Sequence, residues 1–293
     1  MQLGSTTVAR GSRVECEAGE LVTRKTDQEQ TQAKTAKKRT RRERHTSESA
    51  GENSHHRDRR YSAKKSKQNN NSPYAHLHPL QDYLHPGLDV VFCGINPGRM
   101  SAETGHHFAN PTNHFWRCLH RSGMTTTLVP PSEDFSLPER FNIGLTNLVD
   151  RPSTQACELS RAEMVDSVPA FLDKLARHRP RFVCFVGMVI WEIVRNSLAK
   201  LSQQGMKKLE KGRSKKKNQM GLQTYKLLYG NEIAGLPQET LLFVVPCTSG
   251  RVVQYQIPDK IALFTKLQTL VRMPSSEIDT SGMECVVWRS SSP

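Results

Sequence analysis

Three apolar runs constrain the fold of this chain more than any other feature. They are Leu88-Asp89-Val90-Val91-Phe92-Cys93, RFVCFVG over Arg181–Gly187 and TLLFVV over Thr240–Val245. A strand with one wet face alternates apolar and polar side chains, whereas a nearly continuous apolar strand is buried on both faces. Amphipathic segments lie between the runs, and that alternation predicts a parallel sheet covered by helices. The expected class is therefore α/β, a three-layer α/β/α sandwich around a central, mostly parallel sheet.

The intervening segments carry helix signals. Pro111–Ser122 reads as a short helix ended by Gly123, with Phe115 and Leu119 four apart on one face. Ser160-Arg161-Ala162-Glu163 has capping-box spacing ahead of Met164, Val168, Phe171, Leu172 and Leu175. Pro169 falls inside that helix and is expected to kink or interrupt it. Met188–Leu198 and the stretch from Pro258 to Pro274 read as two further helices. Phe141–Val149 is an apolar segment with Thr146 and Asn147 at its centre, a strand end or a loop. Residues 201–221 are Lys-rich and Gly-punctuated and read as an exposed insert, and 275–293 read as a loose tail.

Charge is unevenly spread. The net charge of +14 and pI near 9.6 point to a polyanionic partner, most simply nucleic acid. Residues 1–75 hold 17 Lys/Arg against 9 Asp/Glu and show no apolar periodicity, so a disordered basic tail is expected there. Its clusters, Lys37–Arg44 and Lys64–Lys67, suit a nuclear-import signal, a DNA tether or both. The ordered domain is then residues 76–274. Seven scattered cysteines without CxxC spacing suit a reducing, intracellular compartment and argue against a zinc or iron–sulfur cluster. No stretch approaches the ~18 apolar residues of a membrane span, so no membrane association is expected.

Chemistry concentrates at strand ends. The first run stops in Gly94-Ile95-Asn96-Pro97-Gly98, and the last leads into Pro246-Cys247-Thr248-Ser249-Gly250-Arg251. In a parallel sheet both turns project from one edge, where open α/β sheets bind ligands. Between them comes Gly105-His106-His107-Phe108-Ala109-Asn110-Pro111-Thr112-Asn113-His114-Phe115-Trp116, dense in aromatic and hydrogen-bonding groups. Such a set suits a flat polar ligand. Taken alone, the first turn could equally serve geometry only. It is not a nucleotide-binding P-loop, because no GK[ST] follows it.

Taken in order, GINPG, GHHFANPTNHFWRCL, GLTNLVDRPS and PCTSGR resemble the mismatch-specific uracil/thymine-DNA glycosylases of the uracil-DNA glycosylase superfamily. The likeness spans about residues 80–272 and leaves both tails and the insert unmatched. It implies a monofunctional DNA glycosylase that hydrolyses the N-glycosidic bond of uracil or thymine opposite guanine. The product would be an abasic site, passed on within base excision repair. The implied partners are double-stranded DNA with G·U or G·T mismatches and downstream repair proteins. The resemblance further implies a monomer in the nucleus that needs no metal and no organic cofactor. The alternative is a DNA-binding module of the same fold with little or no turnover.

Site residues follow by the same resemblance. Asn96 matches the position that holds the attacking water, and an amide there is a poor base, so the reaction should be slow. Phe108 matches the aromatic that stacks on the flipped base. Ile95, His107, Asn113 and Asn147 match positions around the base, with His107 and Asn113 also readable as hydrogen-bonded structure. Ser249, Gly250 and Arg251 match the wedge turn that enters the duplex where the base has left. Asp150 and Arg151 read as a structural ion pair or loop anchor.

Overall fold

The apolar runs pair side by side as parallel strands. The structure, a computed structural model, describes Tyr74 and residues 76–205 and 219–289. The expectations for the basic tail, and for residues 206–218 of the insert, lie outside the described residues. The central strand β1 (Val90–Gly94) is buried at every position. It pairs in parallel with β2 (Ile143–Asn147) on one side and β3 (Phe182–Val186) on the other. β3 pairs in parallel with a later strand, Glu239–Val245, which we number β5. Beyond it run β4 (Gly221–Tyr229), antiparallel to β5, and β6 (Glu284–Trp288), parallel to β4. The six-stranded order is β2-β1-β3-β5-β4-β6.

Side chains alternate between two cores, which is why the runs are almost continuously apolar. Val91, Cys93, Val183, Phe185, Leu242 and Val244 face one core. That core is closed by helices spanning Arg161–His178 and Met188–Gly205. Val90, Phe92, Phe182, Cys184, Leu241, Phe243 and Val245 face the other. Helices spanning Phe115–Arg121 and Ile257–Arg272 cover that side. Counting a short helix at Arg99–Thr104 and another at Leu137–Phe141, these are α1 to α6 in chain order. The three-layer, mostly parallel α/β/α architecture expected from the runs is present.

Three local expectations need correction. Pro169 does not interrupt α4, which is continuous from Arg161 to His178. The proline sits on the exposed face, where water can satisfy the carbonyl its missing N–H leaves free. The Lys-rich insert does not reach residue 221: residues 201–205 complete α5 and Gly221 opens β4. The segment after 274 is not loose, since it carries a 3-10 turn at Ser275–Glu277 and then β6. Val286 is buried, and Trp288 Nε1 donates to Asp173 Oδ1 at 2.9 Å. β4 and β6 bury only part of each strand, so their polar and charged residues masked them in the sequence.

Candidate active site at the carboxyl edge of the sheet

β1, β2 and β5 end at the same edge, and the three turns that leave them converge there. The turn after β1 runs alongside the segment after β2. Leu148 N donates to Gly94 O at 2.9 Å, Val149 N to Ile95 O at 2.9 Å and Ser153 N to Pro97 O at 3.1 Å. Backbone pairing therefore continues past the strands and brings Asn96 beside Arg151 and Ser153.

The Asn96 side chain is anchored at its amino end. Nδ2 donates to the Arg151 carbonyl oxygen at 2.8 Å and to Ser153 Oγ at 2.8 Å. A carbonyl can only accept, so the amino group must occupy this position. Ser153 Oγ spends its own proton on Gln155 O at 2.8 Å and is left to accept from Asn96. Oδ1 is thereby presented on the other side, where it makes no hydrogen bond to a described residue. It is an acceptor of fixed direction, suited to orienting a water.

Arg151 is itself held. Its Nε contacts Glu163 Oε1 at 2.6 Å, and one terminal nitrogen contacts Glu163 Oε2 at 2.9 Å and the Glu158 carbonyl at 3.0 Å. This fork with Glu163 holds the Glu163 carboxyl below its ordinary value. Asp150 does not pair with Arg151 and instead lies 3.6 Å from Lys174. Arg151 is thus a loop anchor, with a partner on α4 rather than at its neighbour.

A second group surrounds Gly94. A Cβ at Gly94 would lie 2.5 Å from Asn147 Oδ1 and 3.6 Å from Phe108 Cζ. Only a residue without a side chain lets these two groups approach the end of β1 so closely. Asn147 is 7% exposed, yet neither end of its amide hydrogen-bonds to a described residue. Its amide atoms keep a little access to solvent, which leaves a donor and an acceptor open to a ligand. Phe108 stacks on Phe115 with ring centroids 4.0 Å apart and stays partly exposed. Its φ of 52° places the backbone in the left-handed region, where a bulky residue is strained. Its amide has no acceptor among the described residues.

The strain at Phe108 is supported from behind. Asp134, fully buried on a 3-10 turn over Pro131–Ser136, accepts from the His107 amide at 2.8 Å. Its other oxygen lies 3.1 Å from His106 Nδ1. His107 points inward, against the expectation that it contacts the base. The residue is 1% exposed, with Nε2 2.8 Å from the Gln81 carbonyl. Desolvation lowers its pKa, so the ring is neutral and Nε2–H donates to that carbonyl. Asn113 Oδ1 accepts from Phe115 N at 3.0 Å, which braces the turn into α2, and its amino group has no partner among the described residues.

The wedge turn docks on the loop before α2. His114 N donates to Thr248 O at 2.8 Å. A Cβ at Gly250 would meet the Thr112 carbonyl oxygen at 2.6 Å, so glycine is required by close approach. Arg251 is exposed at the tip, and Ser249 Oγ accepts from its amide at 3.3 Å. Val253 beside it is 79% exposed. Asn147 and Phe108 thus meet over Gly94, next to the turn that carries Ile95 and Asn96, and Gly250 seats the turn of Ser249 and Arg251 on Thr112. Ser153, Glu163 and Asp134 were not singled out from sequence. Ser153 lies within GLTNLVDRPS, whereas Glu163 read as a cap residue and Asp134 belongs to no motif.

A family model described as the uracil DNA glycosylase superfamily matches residues 81–268 of the 293-residue chain. The chain is also similar to a solution NMR structure of a candidate uracil DNA glycosylase from Methanosarcina acetivorans. The TM-score is 0.38 and the identity 17%, covering 65% of this chain and 98% of that one.

Proposed function

The chain belongs to the uracil DNA glycosylase superfamily, and from that premise we propose that it is a monofunctional glycosylase acting on uracil or thymine mispaired with guanine. The observation that carries this reading is the orientation of Asn96, whose amino group is held by Arg151 O and Ser153 Oγ. Its acceptor oxygen can align a water toward the anomeric carbon of a nucleotide turned out of the duplex.

The remaining groups supply the other parts of such a reaction. The flipped base stacks on Phe108, worth about 1–3 kcal/mol. The nearly buried Asn147 amide reads the edge of the pyrimidine. As the glycosidic bond breaks, its electron pair moves onto the base nitrogen, and the Phe108 amide donates to the charge that develops. The water oxygen bonds to the sugar carbon and loses its proton to solvent, and the departing base takes up a proton. Among the described residues no carboxylate hydrogen-bonds to Asn96, so the water is held by an amide, a poor base, and turnover is slow. Arg251 fills the gap left in the duplex. The product is an abasic site for downstream repair proteins. The basic tail would tether the enzyme to DNA or direct it to the nucleus.

The test is incubation with duplexes carrying one G·U or G·T pair, followed by alkali. Strand cleavage at the mispaired base supports the reading. Intact strands at stoichiometric protein, with binding retained, would instead leave a DNA-binding module.

A further inference from the structure

Lys260 lies in the first turn of α6 and is fully buried, at 0% exposure. Its Nζ is 3.2 Å from His114 Nδ1 and 3.5 Å from the Ser249 carbonyl oxygen. No carboxylate pairs with it among the described residues. Buried ammonium groups are almost always paired with an anion. Here both neighbours are neutral, and the cation sits at the junction of the wedge turn with the start of α2.

The chemistry of the contact fixes the imidazole. An ammonium has only donors, so Nδ1 must accept, and a neutral ring then carries its proton on Nε2. His114 is half-buried, and its Nε2 has no partner among the described residues. The groups facing the ring agree with a neutral form. Burial first, then the charges of Lys260 on α6 and Arg117 on α2, push its pKa down. Lys260 is likewise lowered by burial, opposed by the thiols of Cys247 and Cys118.

We infer that Lys260 and His114 form a phosphate-binding relay beside the wedge turn. The ammonium donates to Nδ1, and the remaining Nε2–H donates to a phosphate of the bound DNA. That phosphate supplies the negative charge the buried lysine lacks. The relay rests on the reading above only in taking DNA as the ligand.

The test uses the full chain labelled with 15N, with the His114 ring assigned through His114→Phe. Long-range proton–nitrogen spectra should show the Nε2–H form in the wild type at neutral pH. In Lys260→Met the ring should titrate at higher pH and populate both tautomers. Affinity for the product duplex, an abasic site opposite guanine, should fall about tenfold in either variant. The double variant should be no weaker than the singles. The slope of affinity against salt should shrink by about one phosphate contact in Lys260→Met, which removes the charge, and hold in His114→Phe, whose ring is neutral.

An Nδ1–H wild-type ring would overturn the relay, as would an unmoved titration in Lys260→Met or losses that simply add. Should Lys260→Met fail to fold, the wild-type tautomer and the affinity loss of His114→Phe still decide. Spectra and slopes as expected, with no alkali-sensitive product from any mismatch, would sink the glycosylase reading and leave the relay standing.

Discussion

The carbonyl oxygen of Arg151 takes a 2.8 Å hydrogen bond from Asn96 Nδ2, while the guanidinium of the same residue is forked onto Glu163. The direction of the proposed water-holding oxygen is thus tied to an ion pair between the loop and Glu163 on α4.

Glu163→Gln should therefore slow excision more than it weakens DNA binding, because the loop that aims Asn96 loosens. The pair is partly exposed, so the loss in stability should stay within about 1 kcal/mol. The Glu163 carboxyl is held down chiefly by its hydrogen bond to Arg151, so its folded pKa lies below the unfolded one. Its contribution is full above the ordinary value of 4.5 and is lost as pH falls through the folded value. Acid unfolding of wild type and variant should converge at low pH. A constant gap at all pH values would refute the account.

Asn96→Asp should not convert the site into a faster one. The two acceptors that now receive Nδ2, Arg151 O and Ser153 Oγ, would face a carboxylate oxygen. The variant should lose about 1–3 kcal/mol of stability at neutral pH and recover part of it as the carboxyl is protonated. Chemical denaturation across pH measures this. Asn96→Ala should keep DNA binding while excision falls by about 10²-fold or more.

Gly94→Ala probes the pocket floor. The added methyl would meet Asn147 Oδ1 at 2.5 Å, so Asn147 must turn away from its place beside Phe108. The expected outcome is a folded protein with impaired excision of both uracil and thymine. Unchanged kinetics would show that Asn147 does not read the base.

Gly250→Ala probes the wedge. Its Cβ would lie 2.6 Å from the Thr112 carbonyl, which lifts the turn off the loop before α2. Excision from a mismatched duplex should drop well below excision from a single strand carrying the same base. Equal losses on both substrates would place the defect in the pocket instead.

Much of this molecule is legible in its sequence. β1, β3 and β5 can be read from their apolar runs because burial on both faces leaves few polar positions to confuse the pattern. Asn96, Phe108 and Arg251 stood out because their motifs sit at strand ends or between them. β4 and β6 are not legible, since strands with partial burial carry the polar residues of a loop. Pro169 misled because helix rules describe an isolated segment, while α4 is held along its length by the core it covers.

The sequence by itself determined the layered architecture, the edge where the turns meet and the residue types available there. Tertiary structure alone decided their tasks. His107 turns inward to Gln81, while Asn147 stays nearly buried with no hydrogen-bond partner for its amide among the described residues. Arg151 and Ser153 aimed Asn96, and Lys260 came to lie under His114 across 146 residues of chain. The physical reason is that hydrogen bonds and desolvation depend on atoms within a few ångströms. Residues far apart in sequence supply those atoms, and only the closed fold brings them together.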